Sequence, residues 1–172
     1  DGNGLGRLEL VHEAEPITEW REVHTRSPIA PRGGRGYTGV MPMIVWVAAG
    51  GALGAAGRYI VNVWTGRLLG SGFPWGTLTV NIVGSFVMGA LITYMALKWS
   101  TSQEMRAFLT TGVLGGFTTF SAFSLDFATL YERKEFGLAA AYAAGSVGLS
   151  LVAIFAGMAL MRAVLSCAVS KG

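Results

Sequence analysis

The sequence is short of charge, cysteine and histidine, and each shortage removes a class of protein. Only 13% of its 172 residues are Asp, Glu, Lys or Arg, against about a quarter in a soluble globular domain. The shortage is uneven: residues 1–40 hold eleven of the charged side chains and the following 132 hold twelve. A single cysteine, Cys167, excludes an internal disulfide and is silent on redox compartment. His12 and His24 have no Cys or His at metal-ligand spacing and read as solvated side chains. A scattered net charge of +3 is too small for a nucleic-acid surface. The pI near 9.3 is what sparse basic flanks give a membrane protein. Enzyme signatures are missing too: there is no nucleophile elbow, no HExxH and no glycine-rich phosphate loop between a strand and a helix.

What is present is apolar. The chain is 52% hydrophobic with 25 glycines, and its mean hydropathy is +0.49. Residues 1–40 are the exception. They mix charges, glycines and prolines, Pro16 interrupts the one helix-like piece, and "SPIAPRGGRG" reads as linker. They lack the pattern of a signal peptide. They are expected to form a flexible, disordered polar extension, dispensable if the functional start is Met41 or Met43, with a short regulatory tail as the alternative. Residues 41–172 are expected to be a transmembrane domain with spans at about 43–64, 77–99, 105–131 and 136–165, each near the ~20 residues that cross the hydrocarbon. The fold class is all-α, since open β-structure leaves backbone groups unpaired in lipid. With four spans, Arg67, Arg133 and Lys134 fall on one side of the membrane and Lys98, Arg106, Arg162 and Lys171 on the other, joined by the arginines of residues 1–40 if that extension is part of the working protein. A balance so even gives little bias to orientation and is compatible with insertion both ways round.

Within the spans, small and polar residues recur at helical spacing. Gly50 and Gly54 are four apart, as are Gly112 and Gly116, a spacing that lets helices approach closely. Thr77, Asn81 and Ser85 lie along one stripe of the second span, and Tyr142, Ser146 and Ser150 along one stripe of the fourth. Interhelical hydrogen bonding explains either stripe alone; two together point toward a polar pathway. The stretch "GGFTTFSAFSLDF" (115–127) is the least lipid-like. Gly115 and Gly116 weaken the third helix, and unwound backbone at membrane depth must find partners. Two readings fit: freed carbonyls that bind a cation such as sodium, or a packing kink in which Thr118 and Thr119 bond back to the chain. Phe120 and Phe123 share a face, and the positive edge of a phenyl ring suits an anion without the trap of a fixed cation; core packing is the plainer reading. Asp126, the lone acid deep in the third span, reads as a helix-end group bonded to neighbours more than as a proton relay, because no other carboxylate in the spans can exchange a proton with it.

The stretches "GGALGAAGRY" (50–59), "PWGTLTVNIVGSF" (74–86), "GVLGGFTTFSAFSLD" (112–126) and "AYAAGSVGLS" (141–150) together resemble the Fluc/CrcB family of fluoride channels, across all four spans in order. The resemblance implies an all-α membrane protein of four transmembrane helices, the third broken mid-membrane, paired as an antiparallel dual-topology homodimer with two pores. It implies a fluoride-selective passive channel of the cell membrane that exports fluoride from the cytoplasm and relieves its toxicity. A structural sodium ion, not transported, would sit on the dimer axis, held by backbone carbonyls at Gly115 and Thr118 of each subunit. The implied fluoride pathway comprises Asn81, the paired Phe120 and Phe123, and the polar track Tyr142, Ser146 and Ser150. Arg58 matches the arginine that makes the aqueous vestibule electropositive. Ala122 stands where many members have Thr, and Asp126 where many have Glu. Some organisms pair two divergent copies; this chain keeps both the phenylalanines and the polar track and reads as self-sufficient.

Two other classes fit these residues less well. A small dual-topology, proton-coupled multidrug exporter is also four-helical and dimeric, but it needs a membrane-embedded acid, usually on the first span, where this chain has Arg58 and no acid. A non-transporting membrane assembly subunit would have no use for polar stripes.

Overall fold

The computed structural model describes residues 40–169, and their side chains from 43 to 167; the polar extension expected over residues 1–40 lies outside them except for Val40. The described residues form helices and no strand. Helix α1 spans Val40–Leu69 and α2 spans Trp75–Leu97. The third span is assembled from pieces: α3 (Gln103–Ala107), a π-helical segment (Phe108–Leu114), α4 (Gly115–Phe117) and α5 (Phe120–Glu132). Helix α6 runs over Phe136–Val169. Four stretches are long and apolar enough to cross a membrane, Met43–Leu69, Trp75–Leu97, Gln103–Glu132 and Phe136–Cys167. Four spans in these places were the expectation, and the differences are at their ends.

Helix α1 continues five residues beyond Trp64 because neither Thr65 nor Gly66 stops it. The Thr65 hydroxyl donates back to the Val61 carbonyl at 2.8 Å, which satisfies it within the helix. The stop is Gly70, at φ 79°, whose N–H closes on the Gly66 carbonyl at 3.1 Å in the left-handed cap that glycine permits. "TGRLL" is therefore helix and not loop. Helix α2 begins two residues early, behind Pro74, and the third span begins at Gln103, where the Ser102 hydroxyl accepts the Met105 N–H at 3.3 Å. Helix α5 ends in a Schellman closure: Glu135 N–H meets the Leu130 carbonyl and Lys134, at φ 62°, meets that of Tyr131.

Helix α1 packs on the first half of the third span, and α2 packs along α6. Both contacts are made backbone to backbone. A Cβ added to Gly50 would come within 3.0 Å of the Gly112 Cα, and one on Gly116 within 3.0 Å of the Gly51 Cα. One on Gly54 would overlap the Val113 carbonyl and lie 2.7 Å from the Phe117 nitrogen. The two glycine pairs read separately in the sequence are thus the two halves of one contact. Gly89 and Gly157 do the same between α2 and α6, against the backbones of Ile154 and Phe86. Elsewhere the spans are open: no more than 28% of the most apolar stretch of any one is buried within the chain. Lipid tails are as apolar as leucine, so such an outer surface needs no polar residues.

The close seam makes a prediction. Gly54→Ala should lower the denaturation midpoint of the purified protein, overpacking costing roughly 1–3 kcal/mol. Gly66→Ala, where a Cβ meets nothing within 4 Å, should be neutral or stabilising by about 0.5–1 kcal/mol. Matching midpoints for the two variants would show that the α1 seam tolerates a methyl group.

Candidate functional site

Between α4 and α5 two residues leave the helix. Thr118 and Thr119 have extended backbones, at φ −77°, ψ 159° and φ −158°, ψ 126°. The glycines expected to unwind are themselves helical, with Gly115 at φ −65°, ψ −36°, so the irregular residues lie just past them. The reason is a side chain on α2. Asn81 Oδ1 accepts the Thr119 N–H at 2.8 Å, and its Nδ2 donates to the Thr119 carbonyl at 3.0 Å. One amide side chain therefore satisfies both backbone polar groups of a residue turned out of its helix, a pairing that buried backbone requires.

The two threonines behave differently. The Thr118 hydroxyl bonds back to the Leu114 carbonyl at 3.0 Å, as the kink reading supposed. The Thr119 hydroxyl faces forward and caps α5, accepting the Ala122 N–H at 3.2 Å and lying 3.1 Å from the Ser121 hydroxyl. In a continuous helix the Thr119 N–H would bond the Gly115 carbonyl, and the Ala122 N–H that of Thr118. Both donors are engaged elsewhere. The described residues contain no group of three His, Cys, Asp or Glu that could hold a metal, whereas these two carbonyls are the kind of hard oxygen donor that suits a small cation.

Beside this irregular pair lies a groove of about 430 Å³, walled by α2, α4, α5 and α6. Of the residues expected to form a site, Asn81, Gly115, Thr118, Phe120, Phe123, Ser146 and Ser150 line it, as does Ser85, and no charged side chain does. The hydroxyls of Ser146 and Ser150 are buried there with no hydrogen-bond partner among the described residues. Buried hydroxyls are nearly always paired, so interhelical bonding within the chain does not account for these two.

Tyr142, the third member of that stripe, is fully buried and stands behind the groove. Its hydroxyl donates to Asp126 Oδ2 at 3.1 Å, which makes Asp126 the hydrogen-bonded group the sequence suggested. Its ring joins an aromatic row. Phe120 and Phe123 centroids are 5.3 Å apart, Phe123 and Tyr142 5.3 Å, and Tyr142 meets Phe73 edge-on at 5.5 Å. Phe120, at one end, is 76% exposed. Asp126 faces a second, more polar cavity of about 370 Å³ near the α1–α2 turn, lined also by Asn62, Thr77 and Arg133. Arg58 is half-buried on α1 and lines neither cavity. The sequence reading missed Phe73, the cap by Thr119 and the π-helical segment; the first two had a signal in their position beside Pro74 and before a helix start, and the third had none.

Four helical spans, each long and apolar enough to cross a membrane, define a multi-pass membrane protein. Residues 45–158 match the family described as CrcB-like protein, Camphor Resistance (CrcB). Among curated proteins the chain is 57% identical over 119 residues to a protein of Agrobacterium fabrum, covering 69% of this chain and 95% of that one. It is 57% identical over 122 residues to one of Rhodospirillum centenum, covering 71% and 97%, and 58% identical over 119 residues to one of Cereibacter sphaeroides, covering 69% and 94%. All three carry the name fluoride-specific ion channel FluC. The chain belongs to the CrcB family.

The Tyr142–Asp126 bond is testable by itself. Tyr142→Phe keeps the ring row and removes the donor to a half-buried carboxylate, so stability in detergent should fall by about 1–3 kcal/mol with the aromatic near-UV signal retained. An unchanged denaturation midpoint would mean that water, not the tyrosine, satisfies Asp126.

Proposed function

We propose that this protein is a fluoride-selective passive channel that lets fluoride leave the cytoplasm. The observation that carries the reading is the pair of buried, unpartnered hydroxyls, Ser146 and Ser150, in a groove with the Phe120–Phe123 rings and no cation on its wall. Fluoride is small and tightly hydrated, and it gives up water only to directional donors. Two hydroxyls four residues apart on α6 supply donors in sequence, and the rims of the two rings supply weak positive potential. A fixed Lys or Arg would bind the ion and hold it; uncharged donors bind and release, as conduction requires. The relatives named as fluoride channels carry the same implication by kinship. Such a channel needs no energy source. Hydrogen fluoride enters from acid surroundings as a neutral molecule and dissociates inside, and a leak for the anion removes it.

The working unit in this proposal is an antiparallel, dual-topology homodimer with a third helix broken mid-membrane. The groove is open on one side, and the 76% exposure of Phe120 there leaves a pore wall for a second copy to complete. The even spread of basic residues across the spans is compatible with opposite insertion. A structural sodium ion on the dimer axis would be held by the Gly115 and Thr118 carbonyls of both subunits, whose helical donors are engaged elsewhere. Arg58 would raise the potential of the aqueous vestibule. The proton-coupled exporter is disfavoured, since the one acid deep in a span, Asp126, is bound to Tyr142.

Purified protein in liposomes should release fluoride rapidly and chloride not at all. Ser146→Ala and Ser150→Ala should each slow fluoride release about tenfold or more, one lost donor to an ion being worth roughly 1.5–3 kcal/mol. Phe120→Ile or Phe123→Ile, which keeps bulk and removes the ring edge, should cut flux severely in at least one case. No fluoride flux from a folded dimer, or flux that scales with a sodium gradient, would refute the passive channel.

A further inference from the structure

The Gly115 and Thr118 carbonyls lose their helical partners to two particular side chains. Thr119 N–H, the helical partner of the Gly115 carbonyl, is held by Asn81 Oδ1 at 2.8 Å. Ala122 N–H, the helical partner of the Thr118 carbonyl, is held by the Thr119 hydroxyl at 3.2 Å. Asn81 adds a second bond, Nδ2 to the Thr119 carbonyl at 3.0 Å, which fixes the plane of that peptide. We infer that Asn81 and the Thr119 hydroxyl are positioning residues for the cation: by capturing these two N–H groups they keep the Gly115 and Thr118 carbonyls from closing back into a helix. The resemblance implied a place for Asn81 on the fluoride pathway, and it does line the groove; its amide also bonds the Thr119 backbone through both polar atoms, and Thr119 shares the task.

The physical consequence is a coupling between α2 and cation affinity. If Asn81 loses its acceptor, the Thr119 N–H is left unpaired at membrane depth unless it turns to the Gly115 carbonyl. That rotation removes the carbonyl from the cation. Sodium binding and the clamp therefore favour the same arrangement, and weakening the clamp weakens sodium. The donor side of Asn81 holds the peptide plane without competing for either freed carbonyl, so losing it alone should matter less.

The inference rests on the proposed sodium ion, and the test separates the two. The full-length protein in detergent is heated at graded sodium concentrations, with N-methylglucamine replacing sodium, and dimer dissociation is followed by size. The sodium concentration for half-maximal protection is the readout. Wild type should be protected by sodium; absence of any protection would overturn the sodium reading and this inference with it. Asn81→Leu should raise the half-maximal concentration roughly tenfold or more, the worth of one to two hydrogen bonds. Thr119→Val should raise it less, and Thr119→Ser should restore the wild-type value. Ser150→Ala, in the groove but bonded to neither threonine, should slow fluoride flux with the sodium midpoint unmoved. A wild-type midpoint in Asn81→Leu would overturn the clamp. If that variant does not assemble, Thr119→Val decides the matter, and a wild-type midpoint there would overturn the clamp equally; Asn81→Asp, which keeps the acceptor, should shift the midpoint less than the loss of the whole amide.

Discussion

The backbone N–H and carbonyl of a residue turned out of its helix among apolar spans must find partners in protein, and for Thr119 both are found on one residue, Asn81. Its amide supplies an acceptor at 2.8 Å to the N–H and a donor at 3.0 Å to the carbonyl. That arrangement is what allows two residues to be extended in the middle of an otherwise helical span, where each unpaired group costs several kcal/mol. From it follow the start of α5 at Phe120, the direction in which Phe120 and Phe123 project, and the uncommitted carbonyls on the other side of the kink.

The helices hold that local geometry in place by meeting at their backbones. Gly50, Gly54, Gly112 and Gly116 bring α1 onto the third span with nothing between, and Gly84 makes room on α2 for the Thr118 methyl group and the Phe117 ring. In the α1 seam, without side chains at the contact, there is little rotamer freedom to lose and little slack to take up. The aromatic row from Phe120 through Phe123 and Tyr142 to Phe73 stiffens the other face. The serines of α6 sit between these two rigid walls. Their hydroxyls have no hydrogen-bond partner among the described residues.

Much of this was legible in the sequence because lipid simplifies the code. Hydrophobic length gave the four spans, and helical spacing put Ser146 and Ser150 on one face. What stayed hidden had its cause in contacts between spans. The residue that would leave the helix was expected at the glycines, from intrinsic propensity, but Asn81 selects Thr119 from across the bundle. The glycine pairs were visible, yet that they pack on each other depends on which helices are neighbours. Thr65 and Gly66 read as turn residues by composition, and the helix ran through them since its stop is decided at Gly70, where the backbone changes hand. Arg58 was assigned to a vestibule by kinship; it lines neither the groove nor the cavity beside Asp126.

The π-helical turn at Phe108–Leu114 bears on how the third span can change. A π-helical turn, bonded i→i+5, holds more residues than the α-helical turn it interrupts. The seam with α1 runs through it and on to Gly116 and Phe117; beyond that the span meets α2 and α6. Each residue advances an α-helix by about 100°. Removing one residue from this segment would therefore leave the span hydrophobic and of nearly the same length while rotating everything after it by more than a quarter turn. Thr119 would face away from Asn81 and the phenylalanines away from the groove. The length of those seven residues, more than their identity, carries the phase of the site.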